Sequence, residues 1–466
     1  MADKGFTNLY FETLPVKKLL LKFSVPTIIS MLVSALYNIV DQVFIGQGVG
    51  YIGNAATTVV YPFTVIALAI SLLICDGSAS LFSISLGKKD YETAKKSIAN
   101  NLLLSVFFII FITFIGFLFK NDILKLFGVT DSCFKYASDY MGIILIGIPF
   151  YMFTSSFNGI IRADGSPKYS MIATVTGALI NLILDPVAIF VFDLGVKGAA
   201  IATVIGQLVS FIISFYYLKK IKSVKFEIKD IKNNFKVIKK IMLLGISSFI
   251  IQIAIVIVIA VSNNLIVKYG PYSVYGPDIP LSAIGIVMKV FAIVISFSVG
   301  IAVGGQPIVG YNFGLGNYKR VFETYKLIII SNIIIGIISM IIFEFFPQSI
   351  ISLFGSESDL YNNYAVKCFR IFLLGIVLCC IQKASSVFLQ SIGKPLSSTI
   401  LSLARDVIFF VPGLIILASF SGVEGLLWAA PITDTLSFFL TVILISYEFK
   451  KLRNKKENIS ITKKLS

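Results

Sequence analysis

The sequence predicts an all-α integral membrane protein of twelve transmembrane helices, arranged as two homologous six-helix bundles around a central cleft. Three observations predict it. Hydrophobic residues make up 57% and charged residues 14% of 466, with mean hydropathy +0.91, more apolar surface than a soluble chain of this length could hide. The apolar runs exceed the roughly 20 residues a spanning helix needs, which makes them helices rather than barrel strands. Finally, the chain repeats itself. Gly87 with Asp90-Tyr91 matches Gly314 with Asn317-Tyr318, and Phe127-Gly128 matches Phe354-Gly355, both at an offset of 227 residues. Gly165-Ser166-Pro167 matches Gly393-Lys394-Pro395 at 228, and Gly195-Val196-Lys197-Gly198 matches Gly422-Val423-Glu424-Gly425 at 227. One such pair arises by chance; four in order at offsets of 227 or 228 mark a duplication. Each half has an even number of helices, so the halves run the same way through the membrane, related by an axis along its normal.

Apolar segments fall at about 22–46, 55–86, 98–119, 134–161, 169–192 and 196–218, and after a basic linker at about 241–268, 281–312, 327–346, 363–392, 396–419 and 424–447. The first run follows a charged stretch (Asp3, Lys4, Glu12, Lys17, Lys18) and has no small-residue cleavage pattern after it, so it reads as an uncleaved signal anchor. The organisation that follows is an N-terminal lobe at 1–218, a linker at 219–240, a C-terminal lobe at 241–450 and a tail at 451–466.

The net charge of +16 sits mostly in alternate loops: Lys88 and Lys89, Arg162 and Lys168, the linker cluster from Lys219 to Lys240, Lys319 and Arg320, and Lys394. The tail adds Lys450, Lys451, Arg453, Lys455 and Lys456. That is the positive-inside pattern, with anionic lipid headgroups as partners, and not a nucleic-acid footprint. It places both termini in the cytoplasm. The loop after the third segment, with Lys120, Lys125 and Lys135, departs from the bias. The five cysteines show no ligand spacing and read as reduced packing residues. The sequence has no histidine, which removes histidine-ligated metals, Ser/His/Asp chemistry and histidine proton relays together. With no nucleophile set beside a base either, an enzyme is not expected, and no cofactor is implied.

The polar residues inside apolar runs carry the chemistry. An aspartate near the bilayer centre costs about 2.5–3.5 kcal/mol on insertion scales, so Asp41 needs a function or a fixed partner. Counting about 1.5 Å per residue puts Asp41 about 28 Å from the inner edge, and Asp185 about 26 Å from the same side. Asn181 is four residues before Asp185 and shares its face, while Thr203 lies about 12 Å below the outer edge. All four reach one depth in the outer half of the N-terminal lobe. Two carboxylates together in low dielectric cannot both stay charged unaided, so the pair is expected to take up a proton or a monovalent cation. Asn181 and Thr203 offer neutral oxygens that suit Na⁺ or a protonated acid, and no other metal site is expected. Pro186 frees the carbonyl of Leu182 as one more oxygen.

In the second half, Lys289, Arg405 and Asp406 lie within helices as a possible polar network of gate, cavity or packing residues. Adjacent helical residues point about 100° apart, so Arg405 and Asp406 need not pair. Lys383 is expected to snorkel to the inner face, and Phe291 and Phe297 to pack against helices or lipid. Pro26 is the expected bend of the first helix.

Four stretches together resemble the multidrug and toxic compound extrusion (MATE) family, of the prokaryotic DinF or MepA type. They are Tyr37-Asn38-Ile39-Val40-Asp41; Phe157-Asn158-Gly159 ahead of Arg162-Ala163-Asp164-Gly165; Asn181-Leu182-Ile183-Leu184-Asp185-Pro186; and Gly198-Ala199-Ala200-Ile201-Ala202-Thr203. The duplicated twelve-helix layout extends the resemblance over nearly the whole chain. It implies a coupling-cation site at Asp41, Asn181, Asp185 and Thr203 with the backbone carbonyl of Ala199, and a drug cavity touched by Asn158. Tyr37, one turn before Asp41, faces the same way and is within reach of either site; it is grouped with the substrate cavity. The resemblance further implies a plasma-membrane exporter of amphipathic, often cationic, drugs or dyes in exchange for H⁺ or Na⁺. Some relatives carry acids in helices 7 and 10; here those stretches hold Gln252 and Lys383, which leaves the cation site to the N-terminal lobe. The alternative is a lipid-linked oligosaccharide flippase of the same superfamily. Two lobes in one chain already make a complete carrier, so a monomer is expected.

Overall fold

In an apolar run no water satisfies the backbone, so each N–H and C=O must pair within its own segment and the run becomes a helix. The computed structural model describes residues 6–276, 278–352 and 359–465, all helix and connecting turns. Asp3, Lys4 and the repeat member Phe354-Gly355 lie outside the described residues, as do the side chains of Lys455 and Lys456. The first half comprises α1 (Phe6–Thr13), α2 (Val16–Gly48), α3 (Tyr51–Gly87), α4 (Tyr91–Leu118), α5 (Lys120–Leu126), α6 (Asp131–Ala163), α7 (Pro167–Pro186) and α8 (Gly195–Tyr216). The second comprises α9 (Phe235–Tyr269), α10 (Asp278–Leu315), α11 (Tyr318–Phe345), α12 (Pro347–Ser352), α13 (Asp359–Phe372), α14 (Ile376–Ser391), α15 (Pro395–Leu403) and α16 (Phe410–Leu465).

Ten described helices are long and apolar enough to cross a membrane alone, and α13 with α14, bent by 49°, supplies another span. The run Pro395–Asn454 has 60 residues, about 90 Å if straight, and it does not stay straight. Gly422 (φ 59°, ψ −138°) turns it back on itself. A Cβ on Gly425 would lie 2.0 Å from the carbonyl oxygen of Leu417, and one on Gly413 would touch Thr433 and Ala429. The run is therefore a hairpin, and the span count reaches the expected twelve. The short helices α1, α5 and α12 were not foreseen.

The duplication is written into the backbone. Six residues with φ in the left-handed region form three matching pairs: Gly165 (83°) with Gly393 (72°), Gly195 (54°) with Gly422 (59°), and Lys89 (58°) with Gly316 (80°). Each closes a helix or opens the next, where a left-handed residue turns the chain out of the helix. The following caps match as well. The Asp90 carboxylate accepts from Thr93 N at 3.0 Å, and the Asn317 side chain accepts from Arg320 N at 3.4 Å.

The halves meet in a seam made of glycines. A Cβ on Gly87 would lie 1.9 Å from the carbonyl oxygen of Tyr311, and its counterpart on Gly314 would lie 2.1 Å from that of Ile84. Gly77 faces Ile241, Gly245 faces Leu73, Gly304 faces Ser24 and Gly300 faces Ile28, so α3 lies against α9 and α10, and α10 against α2. Hydrogen bonds join the halves at this end: Ser24 to the Ile301 carbonyl, Gln306 to Ser80, Ser248 to Asp76, the Asn234 amide to Asn100, and those made by α1 and by Leu14 just after it. This is the end that carries the basic loops. Here α1 bridges the halves: Tyr311 donates to Glu12 (2.7 Å), Asn312 donates to the Phe11 carbonyl (3.3 Å), and Tyr10 covers Gly165. Phe11 is buried in an aromatic stack with Tyr10, Phe23 and Tyr311. Beyond the seam the halves part around a cavity.

Candidate cation site and central cavity

Local backbone chemistry builds the acid site. Gly177 and Gly206 face each other, a Cβ on Gly206 lying 2.5 Å from the Gly177 carbonyl oxygen, so α7 and α8 cross closely enough to bring Asn181 to Thr203. After Pro186, which has no N–H to give the Leu182 carbonyl, the chain widens into a π-helical turn at Val187–Val191. That turn presses Ile189 against Ile45 and Ala199, one turn from Asp41 on α2. The expected depth agreement becomes a contact. Asn181 Nδ2 donates to Asp185 Oδ1 at 3.0 Å and lies 3.2 Å from Thr203 Oγ1, and the Asp41 and Asp185 carboxyl groups are within hydrogen-bonding reach of each other.

Three oxygens in this cluster are buried without a partner: Asp41 Oδ1, Asp185 Oδ2 and Asn181 Oδ1. Buried acceptors are almost always satisfied, so three orphans in one cluster form a place for something positive. A proton shared between the carboxyls or a dehydrated Na⁺ fits that donor set. Among the described residues no group of three or more Asp, Glu, Cys or His side chains could hold another metal.

Beside this cluster lies a cavity of about 640 Å³, reached from both halves. Tyr37, Asn181 and Thr203 line it from the first half, as does Asn158, which donates to Thr174 Oγ1 (3.3 Å) and accepts from Ser170 Oγ (3.0 Å). Ala199 is buried behind the cluster and offers it no polar side chain.

The second half departs from expectation at Lys383, Lys289 and Phe291, and it joins Arg405 to Asp406, a pairing that ideal helical geometry does not require. Lys383 does not snorkel: it lines the cavity and its Nζ pairs with Asp406 Oδ2 at 2.6 Å. Arg405 and Asp406 do pair (Nη1 to Oδ1, 2.7 Å), because the long guanidinium reaches around a π-helical turn at Ala404–Phe409. Lys289 is exposed and stands apart from the network; Asp434, which accepts from Arg405 Nε at 3.0 Å, takes that place. Phe291 lines the cavity, its ring 5.7 Å from Arg405, and Phe410 flanks the guanidinium at the same distance. Phe297, by contrast, is half-buried and does not reach the cavity. Two acids were missed, Asp76 on α3 and Asp434 on α16. Each lies inside an apolar run, so the rule that singled out Asp41 would have found both. Asp76 sits on the cavity floor, accepts from Ser248 Oγ of the other half at 2.7 Å, and lies 3.9 Å from Arg162.

Two parallel six-span repeats, a seam closed at one end and a cavity flanked by a buried acid pair define a two-lobed membrane carrier. The family model MatE matches residues 26–187 and a second time 253–415. The chain belongs to the MatE family. It is 27% identical over 443 residues to the protein named Multidrug export protein MepA of Staphylococcus haemolyticus, covering 94% of each chain. To the protein of the same name from Staphylococcus aureus it is 26% identical, covering 94% of this chain and 95% of the relative. Among solved structures, one described as the outward-facing conformation of a multidrug resistance MATE family transporter superposes with a TM-score of 0.89. It is 22% identical and is covered to 99%, with 96% of this chain.

Proposed function

We propose that the protein is a secondary active exporter of amphipathic organic compounds, cationic ones among them, in exchange for H⁺ or Na⁺. The observation that carries this reading is the set of orphan oxygens on Asp41, Asp185 and Asn181 beside a cavity that both halves line. Thr203 and the backbone carbonyl of Ala199 complete the cation site in this reading, and Tyr37 and Asn158 belong to the substrate cavity. The relatives named as multidrug exporters favour export over the flippase alternative.

The basic loops put both termini and the glycine seam on the cytoplasmic side of the plasma membrane. The conformation described is then outward-open. Substrate enters when the seam has parted and leaves through the cavity seen here. Cation entry at Asp41 and Asp185 drives release only if the cation binds the two conformations unequally, since equal affinity shifts no equilibrium. Nothing in this cycle makes or breaks a covalent bond, and one chain suffices for it.

The test is efflux of a fluorescent cationic dye from reconstituted vesicles under a Na⁺ gradient and, separately, a pH gradient. One gradient drives transport in wild type, and Asp41→Asn abolishes it. Uphill transport by Asp41→Asn at the wild-type rate would show that this acid does not couple.

A further inference from the structure

Five charged side chains line the cavity among the described residues: Arg162, Lys383 and Arg405 against Asp76 and Asp406. Both carboxylates are engaged. Asp76 accepts from Ser248 with one oxygen, and its other oxygen lies beside Arg162. Asp406 gives one oxygen to Lys383 (2.6 Å) and the other to Arg405 (2.7 Å). Asp434 also neutralises Arg405, from behind the cavity wall.

The cations are not saturated in the same way. An ammonium has three donors and a guanidinium five. Lys383 spends one on Asp406, and Arg405 spends two on Asp406 and Asp434. Arg162 has the 3.9 Å contact with Asp76 and a weak bond to Cys75 Sγ at 3.8 Å. Arg405 Nη2 makes no hydrogen bond and is not among the buried polar atoms left without a partner, so it is open to the cavity that all three residues line. Two aromatic rings stand beside the guanidinium in this wall, Phe291 and Phe410, each 5.7 Å from it. A ligand with only positive charge finds no free carboxylate on this wall, whereas a ligand bearing acceptors finds spare donors held against rings.

We propose that Lys383 and Arg405, framed by Phe291 and Phe410, form a subsite for the acidic group of an amphiphile, a carboxylate or phosphate carried on an apolar body. The proposal rests on the export reading and names one substrate class of its cavity. A zwitterion would suit both walls, its acidic group at Lys383 and Arg405 and its cationic end toward Tyr37 and Asn181.

Tetramethylrhodamine and its methyl ester differ only in one carboxylate, so fluorescence polarisation with purified wild-type protein reads the subsite directly. The free acid is expected to bind about tenfold more tightly, the yield of one charge-assisted hydrogen bond. Equal binding, or tighter binding of the ester, overturns the proposal without any variant. Lys383→Gln should bring the acid-to-ester ratio close to one while Lys383→Arg retains it; a ratio unchanged in Lys383→Gln also overturns it. Repeating the measurement in phosphatidylcholine nanodiscs with and without phosphatidylglycerol separates the sources of the acidic group. Displacement of the acid by phosphatidylglycerol identifies a lipid headgroup as occupant, and no displacement identifies a soluble compound. Loss of the acid preference leaves gradient-driven dye efflux standing, and failure of efflux leaves the binding ratio standing, so the two readings fail separately.

Discussion

The glycine seam makes a quantitative prediction about conformational balance. In Gly87→Ala the new methyl would sit 1.9 Å from the Tyr311 carbonyl oxygen, where real contacts are no closer than about 3.0 Å, and that neighbour is backbone, which cannot swing aside. The halves must separate by about 1 Å locally. Overpacking of this kind costs about 1–3 kcal/mol, while the roughly 0.5–1 kcal/mol that alanine gains over glycine in a helix is common to both conformations and cancels. The cost falls only on the conformation in which the seam is closed. The population of that conformation should therefore drop by a factor on the order of 5 to 150 relative to one with the seam parted. Spin labels at positions 89 and 319, in a background without the native cysteines, would report the distance across the seam. Gly87→Ala should move weight toward longer distances, and Gly314→Ala should do the same. Gly285→Ala, where a Cβ meets nothing within 4 Å, is the silent control. A distance distribution in Gly87→Ala identical to wild type would refute the idea that the seam sets the balance.

Two further outcomes are expected. The Thr93 hydrogen bonds hold the Asp90 carboxyl below the usual carboxylate range. A folded pKa below the unfolded one contributes stability that is full above the unfolded value, about 3.8, and is lost as pH falls through the folded value. Asp90→Ala should thus cost about 1 kcal/mol of helix stability at neutral pH and less below pH 3.8, whereas Asn317→Ala, at the matching cap, should cost the same throughout; hydrogen exchange of the first turns of α4 and α11 reads both. Asp434→Ala strips one carboxylate from Arg405 while Asp406 still pairs with it, and should destabilise the protein by about 1.5–3 kcal/mol, seen as a drop in melting temperature in detergent.

The sequence made some features legible because they depend on counting along one helix. Asp41, Asn181, Asp185 and Thr203 could be brought to a common depth because rise per residue is fixed, and Asp185 and Thr203 do meet at Asn181. The repeat could be read from glycines because a left-handed turn demands them, and Gly165, Gly195, Gly393 and Gly422 all stand in that region. What counting along one helix cannot reach is a partner on another. Lys383 looked like a residue bound for the surface until Asp406, 23 residues on, was found beside it. Ideal helical geometry left the pairing of Arg405 and Asp406 open, and the π-helical turn that carries them does not show in the sequence. Lys289 failed as a network member because which face of α10 turns to lipid depends on its neighbours, and the sequence does not record them.

The seam also has the character of an isologous dimer interface enclosed in a single chain, with Gly87 on Tyr311 mirrored by Gly314 on Ile84. In a true homodimer each substitution is made twice, and whatever binds one subunit must have its twin in the other. Fusing the two copies lifts that rule. The halves are free to diverge wherever the interface does not hold them together. One has kept two acids with unmet oxygens, and the other has filled its wall with cations, their counter-ions and aromatic rings. A symmetric pair of identical chains could not face a single ligand with two chemically different surfaces about its own axis; this chain can.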